Sequence, residues 1–264
     1  MKRFLLLFSI AFLVGCVEYH PYDMRIEGAK GVNAANIERI ERECVGKREL
    51  KVAVISDSQR WYDELEDAIE DINSRDDIDF VLHAGDVADF GLRDEFEIQR
   101  DMLQKLERPS VCLIGNHDCL ATGEYVFQEV FGELNFAFTA AGVRFICLNT
   151  NALEFDIREP VPNFEFLDEQ IRLSPDGGAT RSVVVMHAQP YSDQFNNNVA
   201  TIFQHYLHRF PDLLFCVHGH GHSFREVDIF GDGIVYYQTD CVGHRGYLIF
   251  TINEEGYECE QVRF

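Results

Sequence analysis

Five times in 264 residues an apolar run stops abruptly at Asp, Asn or His. The runs are "LKVAVISDSQ" (50–59), "FVLHAGD" (80–86), "SVCLIGNHD" (110–118), "RSVVVMHA" (181–188) and "LLFCVHGHGH" (213–222). Short apolar runs of this kind read as strands buried on both faces, the condition of a sheet covered by helices. Nothing in the packing of a core strand calls for a carboxylate or an imidazole at its end, because desolvating such groups costs free energy. The strands supply rigidity, and the polar residues behind them are what the rigid frame carries.

Between the runs the period changes. In "RWYDELEDAIEDINSR", residues 60–75, Trp61, Leu65, Ile69 and Ile72 recur at helical spacing, and a second helix is expected over 92–107. Strand, helix, strand, helix, strand implies parallel pairing with right-handed crossovers. Helices are further expected near 121–132 and 198–209. "NFAFTA" and "VRFICLNT" flank Ala141 and Gly142 as a hairpin, and strand-like runs continue from "REVDIF" to the C-terminus. The sum is an α/β chain: a four-layer αββα sandwich of two mixed β-sheets flanked by helices.

The N-terminus has another character. Lys2 and Arg3 precede the apolar run Phe4 to Leu13 and the box "LVGC" ending at Cys16. Such a run is too short to span a bilayer as a stable helix. The arrangement resembles a bacterial lipoprotein signal, which implies cleavage before Cys16, lipidation of that residue, and an exported domain anchored to a membrane, periplasmic or at the cell surface. Val17 after Cys16 leans towards the outer membrane. Residues 17–49 read as a tether with a short helix capped by Asn33 and running to about Cys44, and residues 50–264 as the main domain. Cys112, Cys147 and Cys216 sit in apolar runs as small core residues, while Cys44, Cys119, Cys241 and Cys259 are free to pair in an oxidising compartment.

The formal net charge of −22 argues against a nucleic-acid binder, since phosphate backbones are held largely by Lys and Arg. Any anionic substrate needs positive charge from elsewhere. In α/β sheets functional groups gather beyond the carboxyl ends of the strands. Here the strand ends deliver Asp57, Gln59, Asp86, Asp89, Asn116, His117, His187, His220 and His222, an oxygen and nitrogen set suited to Mn, Fe, Zn or similar ions, with no cysteine in it.

In order, the blocks "DSQ", "GDVAD", "GNHD", "MHA" and "GHGH" resemble those of the calcineurin-like metallophosphoesterase family. The resemblance covers residues 50 to about 223, and "GNHD" and "GHGH" are its most specific parts. It implies a site for two divalent metal ions (Mn, Fe, Zn or Mg). Asp86 would bridge them, Asp57, Gln59 and His222 would complete the first, and Asn116, His187 and His220 the second. It also implies that His117 faces the leaving-group oxygen, with Asp89 orienting its ring.

Two departures stand out. Gln59 occupies a position where the family normally has His, and a neutral amide is a weaker, harder donor than imidazole. A Gln there resembles the manganese-dependent ADP-ribose/CDP-alcohol diphosphatase branch, which implies a small-molecule phosphodiester or pyrophosphate substrate. Asp89 stands where purple acid phosphatases have an iron-binding Tyr, and Phe90 where Ser/Thr protein phosphatases have a phosphate-gripping Arg. The rival readings are a phosphomonoesterase and a non-catalytic surface binding protein that keeps the fold.

Overall fold

In β1 (Glu49–Ile55) Leu50, Val52 and Val54 face one hydrophobic layer while Ala53 and Ile55 face the opposite one. This is the alternation of a strand covered on both sides. The computed structural model describes residues 20, 22–155, 158–173 and 178–264. The signal-peptide reading and Cys16 lie outside them. β2 (Phe80–His83) and β3 (Ser110–Cys112) run parallel to β1, and β10 (Gly246–Asn253) and β11 (Gly256–Arg263) add an antiparallel hairpin, giving the order β11-β10-β1-β2-β3.

The second sheet is built from the expected hairpin of β4 (Phe136–Ala140) and β5 (Val143–Leu148), followed by β6 (Arg181–Met186), β7 (Leu213–His218), β8 (Arg225–Val227) and β9 (Tyr236–Gln238). Its order is β4-β5-β6-β7-β9-β8, parallel through β5, β6, β7 and β9 with antiparallel edges. The inner faces of the two sheets meet in one core. Phe215 of β7 stacks on Phe250 of β10 at 4.1 Å, and Phe80 of β2 meets Phe145 of β5 edge-on at 5.2 Å. Burying each such ring contributes about 1.5–3 kcal/mol.

Helices cover the outer faces. Leu65, Ala68, Ile69 and Ile72 line the buried side of α2 (Tyr62–Asn73), whose Asp63 and Glu64 suit the positive end of the helix dipole. α3 (Arg93–Leu103) packs beside it and α4 (Gly123–Val130) beside α3, with Phe96 against Phe127. Over the second sheet lie α6 (Phe164–Leu173) and α7 (Ala200–Leu207), after the single turn α5 (Ala152–Phe155). The four layers expected from the sequence are present.

Local details differ from expectation. Helix α1 (Val32–Glu43) is entered through Gly31, and Asn33 is no cap. Its side chain instead accepts from the Cys112 amide at 2.9 Å and donates to the Cys112 carbonyl at 2.8 Å, while Asn36 donates to Ser110 O. Two amides thus blunt β3, the edge strand of its sheet. The described part of the tether is docked: Arg100 donates to the carbonyls of Glu27 and Ala29, and Glu27 N to Glu97. Among the described residues Cys44, Cys119, Cys241 and Cys259 are unpaired, as are Cys112, Cys147 and Cys216.

Candidate metal centre

The turns after β1, β2 and β3 are bound to one another before any side chain is considered. Asp57 N donates to Gly85 O at 3.0 Å, and the amides of Ser58 and Gln59 converge on Asp86 O at 3.1 and 3.2 Å. Asp57 and Asp86 both take left-handed backbone conformations, φ 53° and 59°, which L-residues adopt at a cost and which mark over-determined sites. Beneath them Asp118 accepts from the amides of Asp86, Ala88 and Gly115 at 3.0, 2.7 and 2.8 Å. Gly115 is required by proximity, because a Cβ there would collide with the Asp86 carboxylate. The same holds for Gly85, whose Cβ would lie 2.6 Å from His187 Nδ1.

The second sheet supplies imidazoles to the same rim. His187 is fully buried, and its Nδ1–H donates to Ala84 O at 2.8 Å. That leaves Nε2 facing Asn116 Oδ1 at 3.0 Å and Asp86 Oδ2 at 3.4 Å. His220 Nδ1 also lies 3.0 Å from Asn116 Oδ1, while its Nε2–H donates to Asp193 Oδ1 at 2.8 Å. His220 N donates to Asp57 Oδ2, and His222 Nε2 sits 3.1 Å from Asp57 Oδ1. Ligand atoms of Asp57, Asp86 and His187 all lie within 4.8 Å of one another.

These atoms fit a cation. In the metal-free chain a proton on His187 Nε2 and His220 Nδ1 lets them face the carboxylate and amide oxygens, and a cation placed between these atoms would take the place of that proton. Burial opposes charge on His187, yet Asp86 and Asp57 outweigh it and raise its pKa to about 10. For Asp57, burial pushes upward, but the His222 hydrogen bond and the charge of His187 hold it well below the usual carboxylate range. Gln59 is buried, and its Oε1 has no hydrogen-bond partner. A buried amide oxygen left without a donor is the position of a metal-facing or water-facing group.

His117 joins through its main chain, donating N–H to Asp86 Oδ1 at 2.9 Å. The expected role of Asp89 is altered in one respect. Its main-chain carbonyl accepts from His117 Nδ1 at 2.9 Å, whereas its carboxylate is 3.6 Å away and pairs with Arg60 Nη2 at 2.9 Å. Sequence reasoning names the residue but cannot tell which of its oxygens is used.

Two acidic residues and one loop carry no site signal in the sequence. Asp118 was quoted within "GNHD" without a role. Asp193 lies in a loop with no strand-end signature. Asp240, Cys241 and His244 bring ligand atoms within 4.8 Å of one another, but Asp240 is already paired with Arg263 at 2.7 Å. His244 Nδ1 reaches Asp240 Oδ1 and the carbonyl of His222, so this loop braces His222. Trp61, expected as a helix anchor in the core, precedes α2 and rests on Gly243 of the same loop.

The calcineurin-like phosphoesterase family model matches residues 50–224. The chain belongs to the calcineurin-like phosphoesterase family. It is a phosphoric ester hydrolase of a family of dinuclear metal phosphoesterases, and the Asp57, Asp86 and His187 group is able to bind such an ion. Solved structures share the phosphoesterase fold at low identity. A dimetal phosphatase from Danio rerio superposes with TM-score 0.58 at 14% identity, covering 81% of this chain and 99% of that one. GAP50, the anchor in the inner membrane complex of Plasmodium, gives 0.59 at 11%, covering 82% and 85%. The purple acid phosphatase PPD1 of yellow lupin gives 0.58 at 13%, covering 81% of this phosphoesterase and 51% of the lupin chain. No curated protein matches the sequence.

Proposed function

We propose that this phosphoesterase hydrolyses a small-molecule phosphodiester or pyrophosphate at a centre for two divalent ions. Asp86 would serve both positions, Asp57, Gln59 and His222 would hold the first, and Asn116, His187 and His220 the second. The observation that carries the reading is the convergence of His187 Nε2 and His220 Nδ1 on Asn116 Oδ1, beside Asp86. When bound, a pair of ions supplies Lewis-acid charge for the phosphoryl oxygens and an acidified water as nucleophile. This also answers the charge problem of a −22 chain, because the positive charge that a phosphate needs is imported.

The residues around the centre do the rest. His117 presents its ring with Nδ1–H committed to Asp89 O, so Nε2 is the nitrogen that can carry a proton to or from the leaving-group oxygen. The Asp89 carboxylate keeps Arg60 beside that ring. Gln59, in place of an imidazole, makes the first position harder and favours Mn²⁺ or Mg²⁺ over Zn²⁺.

The test is a metal-stripped preparation assayed with bis(p-nitrophenyl) phosphate and p-nitrophenyl phosphate after separate addition of Mn²⁺, Mg²⁺, Zn²⁺ or Fe²⁺. Restoration by Mn²⁺ with preference for the diester is expected. Preference for the monoester would make the protein a phosphomonoesterase, and activity indifferent to stripping would remove the metal centre. The proposal extends to location: the protein is exported and lipid-anchored through Cys16, supported by the order of Lys2, Arg3, apolar run and "LVGC". Mass spectrometry of the mature N-terminus should find a diacylglyceryl group on Cys16, and an unprocessed Met1 would contradict it.

A further inference from the structure

The rings of His187 and His220 meet at the same amide oxygen, yet they are fixed in different ways. His187 is held by a main-chain carbonyl, Ala84 O, inside the buried frame. His220 is held by Asp193, a carboxylate 77% exposed on the loop that follows β6. A neutral imidazole has one N–H, and whichever nitrogen carries it cannot also offer a lone pair. An acceptor at Nε2 therefore decides that Nδ1 is the free nitrogen of His220.

We propose that Asp193 is a positioning residue for the metal centre, fixing His220 in the tautomer whose Nδ1 faces Asn116 and so coupling the 188–198 loop to ion binding. The inference rests on the reading of His220 as a ligand. Carboxylates behind metal-binding imidazoles raise ligand basicity and fix ring orientation. Asp193 is able to do this because its loop is braced: Gln194 O accepts from Ala152 N at 2.9 Å, and Asn197 Oδ1 accepts from Tyr191 N at 2.7 Å. Tyr191, at φ 68°, packs its ring 5.5 Å from that of Phe230.

Coupling of this kind runs in both directions. A cation at Nδ1 withdraws electron density from the ring and strengthens Nε2–H as a donor, so an ion steadies the loop as the loop steadies the ligand. Solvent screens a carboxylate this exposed, which puts the effect at the lower end of the usual range for such partners, about tenfold in the affinity of one ion.

Calorimetric titration of the metal-stripped full chain with Mn²⁺ tests this. Asp193→Ala should weaken one of two binding events about tenfold, while Asp193→Asn, whose amide oxygen still accepts from Nε2–H, recovers most of the loss. Hydrogen exchange over residues 188–198 should slow on Mn²⁺ addition in the parent protein and not in Asp193→Ala. The role is refuted if Asp193→Ala, shown folded by its melting curve, binds both ions within twofold of the parent, or if Asn and Ala lose affinity equally on both events, a mere field effect. Failure of the parent to bind Mn²⁺ would instead refute the centre itself, so the two failures are distinguishable.

Discussion

The first sheet delivers oxygen and the second delivers nitrogen to the rim they share: Asp57, Gln59, Asp86 and Asn116 follow β1, β2 and β3, whereas His187, His220 and His222 follow β6 and β7. The oxygen half is sealed. Asp57, Asp86 and Gln59 are all buried, their turns hydrogen-bond to each other, and Asp118 clamps three of the amides from below. The nitrogen half is graded, from fully buried His187 to a His222 side chain that is 46% exposed and braced by a neighbouring loop. One half is built in advance, and the other is brought to it by the packing of two sheets. An ion held between them would tie the sheets together at the point where, in the metal-free chain, His187 and His222 face the carboxylates of Asp86 and Asp57.

The largest effect expected is on the residue where the halves meet. Asp86→Ala should reduce turnover to background and strip the protein of metal, measured by elemental analysis of the folded variant; retention of both ions would dissolve the proposed bridge. Next is His117, which belongs to the oxygen half in sequence but not in role. His117→Ala should lower kcat by about 10²–10⁴ while metal content is kept. Parallel loss of metal would make His117 a ligand.

Asp118 probes the rigidity of the oxygen half without touching the centre directly. Asp118→Ala leaves three amides without their acceptor and should cost about 3 kcal/mol in chemical denaturation, with a smaller loss for Asp118→Asn. No change would mean that the turns hold themselves. Metal removal probes the seam between halves. At Mn²⁺ of about 100 times Kd, each bound ion should add about 2.7 kcal/mol of stability, read as a rise in Tm that a chelator reverses. The smallest change is expected for Gln59→His, which should tighten Zn²⁺ at one position by calorimetry. Unchanged affinity would leave the unpaired Oε1 as a partner for water alone.

Much of this was legible in the sequence because both layers of information are local. Alternation along a strand reveals which faces are covered, and a polar residue at a strand end is visible without knowing what it meets. Hence the four layers and the hairpin of β4 and β5 are readable from the sequence, and the structure brings Asp57, Asp86, Asn116, His187, His220 and His222 to one rim. Long-range choices of atom were not foreseen. Asn33 looks like a helix cap, and only the nearness of an edge strand 79 residues away turns its amide to Cys112. Asp89 offers two kinds of oxygen, and the arrival of Arg60 decides that the main-chain one serves His117. Asp193 follows an apolar strand by seven residues and carries no periodic signal at all. The cysteines were read by compartment, but pairing depends on distances that no spacing encodes.

The central claim is that the two halves surround a pair of ions, and stoichiometry tests it most directly. Equilibrium dialysis of the metal-stripped chain against Mn²⁺ should saturate at two ions per chain, and should fall to none in Asp86→Ala. Saturation at one ion in the parent, or at two in the variant, would contradict it.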